Sequence, residues 1–537
     1  MKKFSERRKR QIEKNILKEK RYKVLIYNRF IFSLLLVALN LAFVIIMLSW
    51  LYDHGGRFYL LAVETLALVF VLYLINSNEK PSTKLNWVIL ILALPVYGVP
   101  AYLLFGRGRP TKKMKKAIGG AKEQNKGALL QSTEASERVA SVGRQGEICE
   151  YLYKYAAYPA YTDGDVKYYP TGKEMFQDMV EELEKAEKYI LLEYFIIAGG
   201  KMWDTVRELL LKKAEAGVDI RIIYDEAGSL LTLPPKYDKY LESLHPNIRC
   251  MRFNHVVPIF AIRMNNRDHR KMLVVDGKVA FTGGVNIADE YIDERIRFGV
   301  WKDTGVRLRG GAVDSFVVMF FNLWNAFHKD VKEIQAFIPE AGAHRFEGDP
   351  IGSEEGKFLV QPYDDSPLDG ENVSETVYLD MINSAEKYVW VFTPYLVLDD
   401  FMRSALCNAA KRGVDVRIVT PGIPDKRYVY RLTRANYPPL LRAGVKILEY
   451  TPGFVHAKSM ISDDKYAIVG TTNLDYRSLY LHFENSVFFT GCTAVDELKK
   501  DNEAVFAECR EMTLEKTRRS FFGKLGDSIL RVFETLL

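Results

Sequence analysis

One five-residue pattern occurs twice in this chain, and that repetition limits its possible folds more than any other feature. The first copy reads His269-x-Lys271-x4-Asp276-x6-Gly283-x2-Asn286, and the second reads His456-x-Lys458-x4-Asp463-x6-Gly470-x2-Asn473. A single chance match in a chain of 537 residues has a probability on the order of 10⁻⁴. Two matches in corresponding surroundings exclude coincidence.

The surroundings do correspond. Lys185-Ala186-Glu187-Lys188-Tyr189 leads into an apolar, strand-like run, and so does Ser384-Ala385-Glu386-Lys387-Tyr388. Each run is followed by a helical stretch ending in Gly217-Val218-Asp219-Ile220-Arg221-Ile222 or Gly413-Val414-Asp415-Val416-Arg417-Ile418. Such text is a helix C-cap followed by a buried strand. Strand–helix–strand order predicts right-handed βαβ units and an α/β fold. The period is about 190 residues, too long for a solenoid and suited to a duplicated domain.

Within each motif, His and Lys at i and i+2 on a strand point to one face. Asp276-Gly277 is a good hairpin turn, and Asp463-Asp464 a weaker one. A return strand over 279–282 or 466–469 then brings Gly283 or Gly470 back level with the histidine and sets Asn286 or Asn473 beside it. By the same counting the two aspartates are turn residues. Two such half-sites facing each other give one pocket with two imidazoles, two ammonium groups and two amides. Ammonium and amide groups suit the non-bridging oxygens of a phosphodiester. One imidazole can attack phosphorus while the other protonates the leaving alkoxide. No His/Cys/carboxylate cluster with metal spacing is visible, so neither a metal nor another cofactor is expected.

Charge and hydropathy are unevenly spread. Residues 1–29 hold 12 Lys/Arg against 3 acids, residues 107–126 hold 8 against 1, and residues 127–537 carry a net −9. A nucleic-acid protein would carry its basic charge on the folded domain, so no nucleic-acid partner is expected. Basic charge beside a membrane attracts anionic headgroups. Three apolar runs, 30–51, 58–75 and 87–105, lie between the basic stretches. The first two are about long enough to span a bilayer. Leu94-Pro95-Val96-Tyr97-Gly98-Val99-Pro100 interrupts the third. Two basic flanks on the cytoplasmic side require an even number of crossings. The expectation is therefore two spans plus a re-entrant or interfacial third run, in the cell membrane, with the catalytic part on the cytoplasmic face. Five cysteines without C-x-x-C read as free thiols.

The expected organisation is a basic tail (1–29), a membrane segment (30–105), a mobile linker (106–150), and two repeats (151–345 and 346–537).

The double motif resembles the phospholipase D superfamily, over about residues 151–537. The resemblance implies two phospholipase D-like repeats sharing one active site, with His269, Lys271, Asp276, His456, Lys458 and Asp463 as the catalytic motif. It implies a covalent phosphohistidine on His269, with His456 as general acid and then base, and Asn286 and Asn473 holding phosphate. Asp303 of Trp301-Lys302-Asp303 and Glu484 match the carboxylates that orient the histidines. Within the superfamily, Pro95-Val96-Tyr97-Gly98, Tyr102-Leu103-Leu104-Phe105-Gly106 and Asp475-Tyr476-Arg477-Ser478 are similar to bacterial cardiolipin synthases. His482 departs from that pattern, where Asn is common. This resemblance implies phosphatidyl transfer between two phosphatidylglycerol molecules, with membrane phospholipids as partners. A phospholipid hydrolase or another phosphatidyltransferase would use the same residues with a different acceptor.

Overall fold

A computed structural model of the chain describes residues 46, 49, 56–77, 80–103, 111–255, 265–338 and 357–532. The chain divides into two compact units, Met1–Arg107 with Leu230–Tyr237, and Gly108–Ser229 with Asp238–Leu537.

In the first unit the second apolar run forms the helix Arg57–Ile75, and the third forms two helices, Pro81–Ala93 and Pro95–Ala101. The break falls at Leu94, where φ is −135°. Pro95 lacks the N–H that would continue the first helix, but its fixed φ suits the first position of the next. Gly98 allows the two helices to close up: a Cβ there would lie 2.4 Å from Ile91 Cα. Tyr102 packs edge-on between Phe70 and Trp87, with ring centroids 5.3 and 5.4 Å away. The first apolar run lies outside the described residues except for Ile46 and Ser49. Among the described residues no helix is long and apolar enough to cross a membrane.

The second unit holds two mixed α/β sheets. The strands of the first are β1 (Asp165–Tyr169), β2 (Tyr189–Tyr194), β3 (Asp219–Asp225), β4 (Ile248–Phe253), β5 (Lys271–Val275), β6 (Val279–Gly283) and β8 (Gly305–Arg309). Between the last two lies β7 (Val300–Lys302). The second sheet contains β9 (Leu359–Asp365), β10 (Tyr388–Phe392), β11 (Asp415–Pro421), β12 (Lys446–Tyr450), β14 (Ser459–Ser462), β15 (Tyr466–Gly470), β16 (Glu484–Thr490) and β17 (Cys509–Glu511), with β13 (Gly453–Val455) outside it. Their orders are β1-β8-β6-β5-β2-β3-β4 and β9-β16-β15-β14-β10-β11-β12-β17. Apart from the edge strand β17 the two are the same arrangement, each strand matched by one in the other repeat. In both, a helix (Lys201–Glu215 or Asp400–Lys411) connects two parallel strands, β2 to β3 and β10 to β11. The boundary expected at 345/346 lies outside the described residues.

One apolar core runs through both sheets. The helix Val313–Phe327 is its centre, with Phe316, Phe320, Phe321 and Trp324 fully buried. The stretch 106–150, expected as a mobile linker, is instead largely built into this core. Helices Lys112–Gln124, Thr133–Ser141 and Arg144–Ala156 bury Ile118, Val139, Ile148, Cys149 and Leu152 there. Thr111 and Ser132 cap the first two, accepting from Met114 N and Ala135 N at 3.1 and 3.0 Å. The Lys, Gly and Gln content that reads as a linker is the solvated side of short amphipathic helices.

Both motif aspartates occupy hairpin turns with positive φ, 53° at Asp276 and 57° at Asp463. Asp276 accepts from the backbone N–H groups of Glu187, Lys188 and Tyr189 at 2.8, 2.7 and 2.8 Å. Asp463 does the same for Glu386, Lys387 and Tyr388, each at 2.8 Å. The carboxylates thus tie the motif hairpin to the start of the neighbouring strand, which explains why the text before that strand repeats. They sit at the far end of β5 and β14 from the histidines, seven residues along the chain and roughly 20 Å away by strand rise, so their part is structural and not direct participation in the chemistry. Replacing Asp463 by Ala leaves three backbone donors unpaired. The expected loss is about 2–4 kcal/mol of stability, measured as a lower thermal melting temperature. An unchanged melt would contradict the tie.

Candidate active site

The motif strands carry both histidines to one cleft of about 680 Å³, lined by residues of both repeats. His269, Asn286, His456 and Asn473 all reach its wall. His269 and His456 are 7% and 9% exposed. Lys271 and Lys458 lie beneath that wall, 1% and 0% exposed. The Lys271 Nζ donates to His269 O at 2.6 Å, and Lys458 Nζ donates to His456 O. A lysine ammonium has three hydrogens, so each also contributes positive charge below the histidines.

The carboxylates are exchanged between the repeats. His269 of the first repeat has its Nδ1 2.9 Å from both oxygens of Glu484 in the second. His456 of the second repeat has its Nδ1 2.7 Å from Asp303 Oδ2 in the first. The backbone enforces this exchange. His269 N donates to Phe483 O at 2.9 Å, and Phe483 N donates to Arg267 O at 2.8 Å. On the other side, β7 runs parallel with β13, and His456 N donates to Lys302 O at 2.7 Å. Glu484 opens β16 and Asp303 lies two residues before the start of β8, equivalent places in the two sheets. A carboxylate on Nδ1 holds the proton there and leaves the Nε2 lone pair for chemistry.

Burial and the nearby Lys271 and Lys458 ammonium groups hold the His269 imidazole well below its ordinary range. Burial and Lys458 bring His456 down to about 4, although Asp303 opposes the shift. Both imidazoles are therefore neutral in the empty cleft at neutral pH. Burial pushes Lys271 down to about 8 and Lys458 down to about 7. For Asp303, burial is outweighed by the His456 contact and Lys458, and the carboxyl is held below its usual range. Two buried lysines and two buried carboxylates thus surround two neutral imidazoles.

Asn286 is fixed by Ile196 N, which donates to its Oδ1 at 3.0 Å, and by Tyr291, whose hydroxyl accepts from its Nδ2 at 2.7 Å. Several supporting residues had no sequence signal. Thr471 donates its hydroxyl to Glu484 Oε2. Asn485 Nδ2 donates to Thr282 Oγ1 at 2.7 Å, and Thr282 Oγ1 donates to Lys271 O at 2.8 Å, linking the repeats under the site. Phe195 packs edge-on against His269 with centroids 4.9 Å apart, and Tyr291 against His456 at 5.3 Å. Beside the cleft, Arg270 is buried between Glu193 (2.7 Å) and Asp268 (3.0 Å). A further group, His269 with His482 and Glu484, offers three ligand atoms within 4.8 Å of one another. Sequence spacing concealed it because His269 comes from the other repeat.

The family described as "Cardiolipin synthase, PLD-like domain" matches residues 179–296 and 378–506, and that described as "Phospholipase_D-nuclease N-terminal" matches 65–107. A cardiolipin synthase of Alkalihalophilus pseudofirmus is 32% identical over 93% of this chain and 99% of its own. The chain belongs to the cardiolipin synthase family. An uncharacterized protein of Streptococcus mutans is 41% identical over 82% of this chain and 94% of its own. A crystal structure of phosphatidylserine synthase from Haemophilus influenzae shares the fold, with a TM-score of 0.56, 14% identity, and 74% of this chain and all of that one covered.

Two outcomes are expected from the family geometry seen here. Glu484→Gln and Asp303→Asn each lower kcat by about 10²–10⁴-fold by releasing the histidine tautomer, in protein that is still folded at the assay temperature. A ten-percent effect in steady-state assays would contradict the exchanged pairing. In pH profiles, kcat/KM falls as pH rises through about 7, because Lys458 loses its charge in the empty cleft. The kcat limb lies higher, since a bound phosphodiester favours the ammonium. Coincident limbs would count against that coupling.

Proposed function

We propose that this protein is a cardiolipin synthase: it transfers a phosphatidyl group from one phosphatidylglycerol to the terminal hydroxyl of another and releases glycerol. The observation that carries this reading is the pair of carboxylate-backed histidines facing one cleft, in a chain whose relatives over nearly its full length bear that name.

The phosphodiester binds over Lys271 and Lys458, with the Asn286 and Asn473 amides at its non-bridging oxygens. Its negative charge counteracts the two ammonium groups and raises the His456 pKa, so substrate enters with uptake of a proton on His456. His269 Nε2 attacks phosphorus. The bond to glycerol breaks, and the leaving oxygen takes the proton from His456. The product of this half-reaction is a phosphatidyl-His269 and neutral His456. The second phosphatidylglycerol gives its hydroxyl proton to His456, its oxygen attacks phosphorus, and the P–N bond to His269 breaks. As cardiolipin leaves, His456 releases the proton taken up at substrate entry, so proton and phosphoryl balances both close, in ping-pong order. The apolar part of the cleft wall, Phe298, Tyr428, Val429, Leu432 and Phe454, suits the glycerol–acyl region of a lipid.

Membrane attachment belongs to the same reading. Leu61, Leu66, Leu68, Val69 and Leu72 on the helix Arg57–Ile75 are each more than half exposed. A contiguous apolar surface of this kind calls for lipid or a protein partner. With basic stretches at 1–29 and 107–126, the reading is a multi-pass anchor with the catalytic part on the cytoplasmic face, where both lipid substrates are at hand.

The deciding experiment supplies the detergent-solubilised protein with phosphatidylglycerol alone and identifies products by mass. Cardiolipin and glycerol in equal amounts are expected; phosphatidic acid alone would make it a hydrolase. His269→Ala and His456→Ala each abolish turnover, and wild-type enzyme rapidly denatured in detergent at mildly alkaline pH, where a P–N bond survives, carries phosphatidyl on the peptide containing His269. Full activity in either variant would end the shared-site mechanism, and label on His456 would reverse the two roles.

A further inference from the structure

The proposed reaction uses His269 and Glu484 but leaves their neighbour His482 without a task. The His482 side chain is 10% exposed and lines the cleft. Neither of its ring nitrogens has a hydrogen-bond partner. A buried imidazole in that state is uncommon and calls for an explanation. Its Nδ1 lies 3.7 Å from Glu484 Oε1, and both Glu484 oxygens lie 2.9 Å from His269 Nδ1. Tetrahedral zinc sites with bonds near 2.0–2.2 Å place their ligand atoms about 3.3–3.5 Å apart. The observed separations of 2.9 and 3.7 Å bracket that spacing.

We propose that His269, His482 and Glu484 form a three-ligand site for one zinc-like divalent cation, and that its occupancy reversibly switches the enzyme off. Two imidazoles and one carboxylate, with a fourth position open to the cleft, are the donor set that zinc takes in sites with an exchangeable ligand. Only one of the three ligands is an oxygen donor, and the nearby Lys271 and Lys458 ammonium groups oppose a dication. The site therefore selects an ion that gains from imidazole bonding, and discriminates against Mg²⁺ and Ca²⁺, which prefer oxygen.

Inhibition follows from the tautomer and rests on the reading of His269 as nucleophile. In the metal-free site the ring proton is on Nδ1, facing Glu484, and the lone pair is on Nε2. A cation on Nδ1 takes that lone-pair direction and the ring proton moves to Nε2. No proton is lost, but Nε2 has no electron pair left for phosphorus. The cation also withdraws Glu484 from its orienting role. The metal is thus no part of the reaction, and a chelator would leave the uninhibited enzyme as active as before.

The test titrates full-length enzyme in detergent with Zn²⁺, and in parallel with Co²⁺, whose visible absorption reports tetrahedral coordination without reference to turnover. One ion per chain is expected, with activity on phosphatidylglycerol falling in step with occupancy, restored by chelator, and insensitive to Mg²⁺. His482→Asn, and independently His482→Gln, weaken metal binding and raise the zinc concentration for half-inhibition by about tenfold or more, each judged against its own metal-free rate and with melting recorded. No saturable binding by wild type, or equal zinc sensitivity in both His482 variants, would overturn the proposal. A wild-type enzyme that holds one ion yet keeps its full rate would overturn the switch. Wild-type turnover in His269→Ala would instead overturn the nucleophile reading, whatever the cobalt spectrum shows.

Discussion

Everything at the active site depends on a few backbone hydrogen bonds that cross between the repeats. His269 N to Phe483 O, Phe483 N to Arg267 O and His456 N to Lys302 O lock each histidine segment onto the carboxylate segment of the other repeat. Neither repeat holds a complete site. Pulled apart, each would expose an imidazole without its carboxylate and a carboxylate without its imidazole, both taken from buried positions. An unpaired buried polar group costs about 1–3 kcal/mol, so the catalytic pairs also act as clamps between the repeats. The shared core around the helix Val313–Phe327 works in the same direction.

That clamp fixes the electrostatics. Two lysines are buried under the histidines with their ammonium groups turned to backbone carbonyls. Asp303 and Glu484, engaged on the histidine Nδ1 atoms, also balance the charge of the two ammonium groups. Oriented groups in a dry site stabilise charge better than water does, because they do not have to reorganise. Burial and the two lysines depress both imidazoles, and in the proposed reaction the acid for the leaving group arises when the anionic substrate binds. On that reading, protonation of His456 and recognition of an anionic headgroup are one event. His482 sits at the edge of this arrangement, close enough to Glu484 to compete for it.

Legibility in the sequence followed range of interaction. The hairpins of each motif, the strands on either side and the turn position of Asp276 and Asp463 depend on neighbours within about ten residues, where periodicity and turn chemistry act. The βαβ units were readable for the same reason. The stretch 106–150 reads as a polar linker in sequence because three short helices with one narrow apolar face show no core side until their partner surface is in place. The depth of Lys271 and Lys458 was also hidden: strand alternation gives the side of the sheet a residue leaves from, but a long flexible side chain can still fold back on its own backbone.

By itself, the sequence determined the chemical inventory, the duplication and the local geometry of each half-site, because these are set by residue type and short spacing. Only the tertiary structure decided that Glu484 serves His269 and Asp303 serves His456, pairs 215 and 153 residues apart along the chain. It also decided that His482 joins the first pair. Contacts at such separations leave no periodic trace in one sequence; they arise from the docking of two sheets, which is selected by the packing of a whole core and not by any motif.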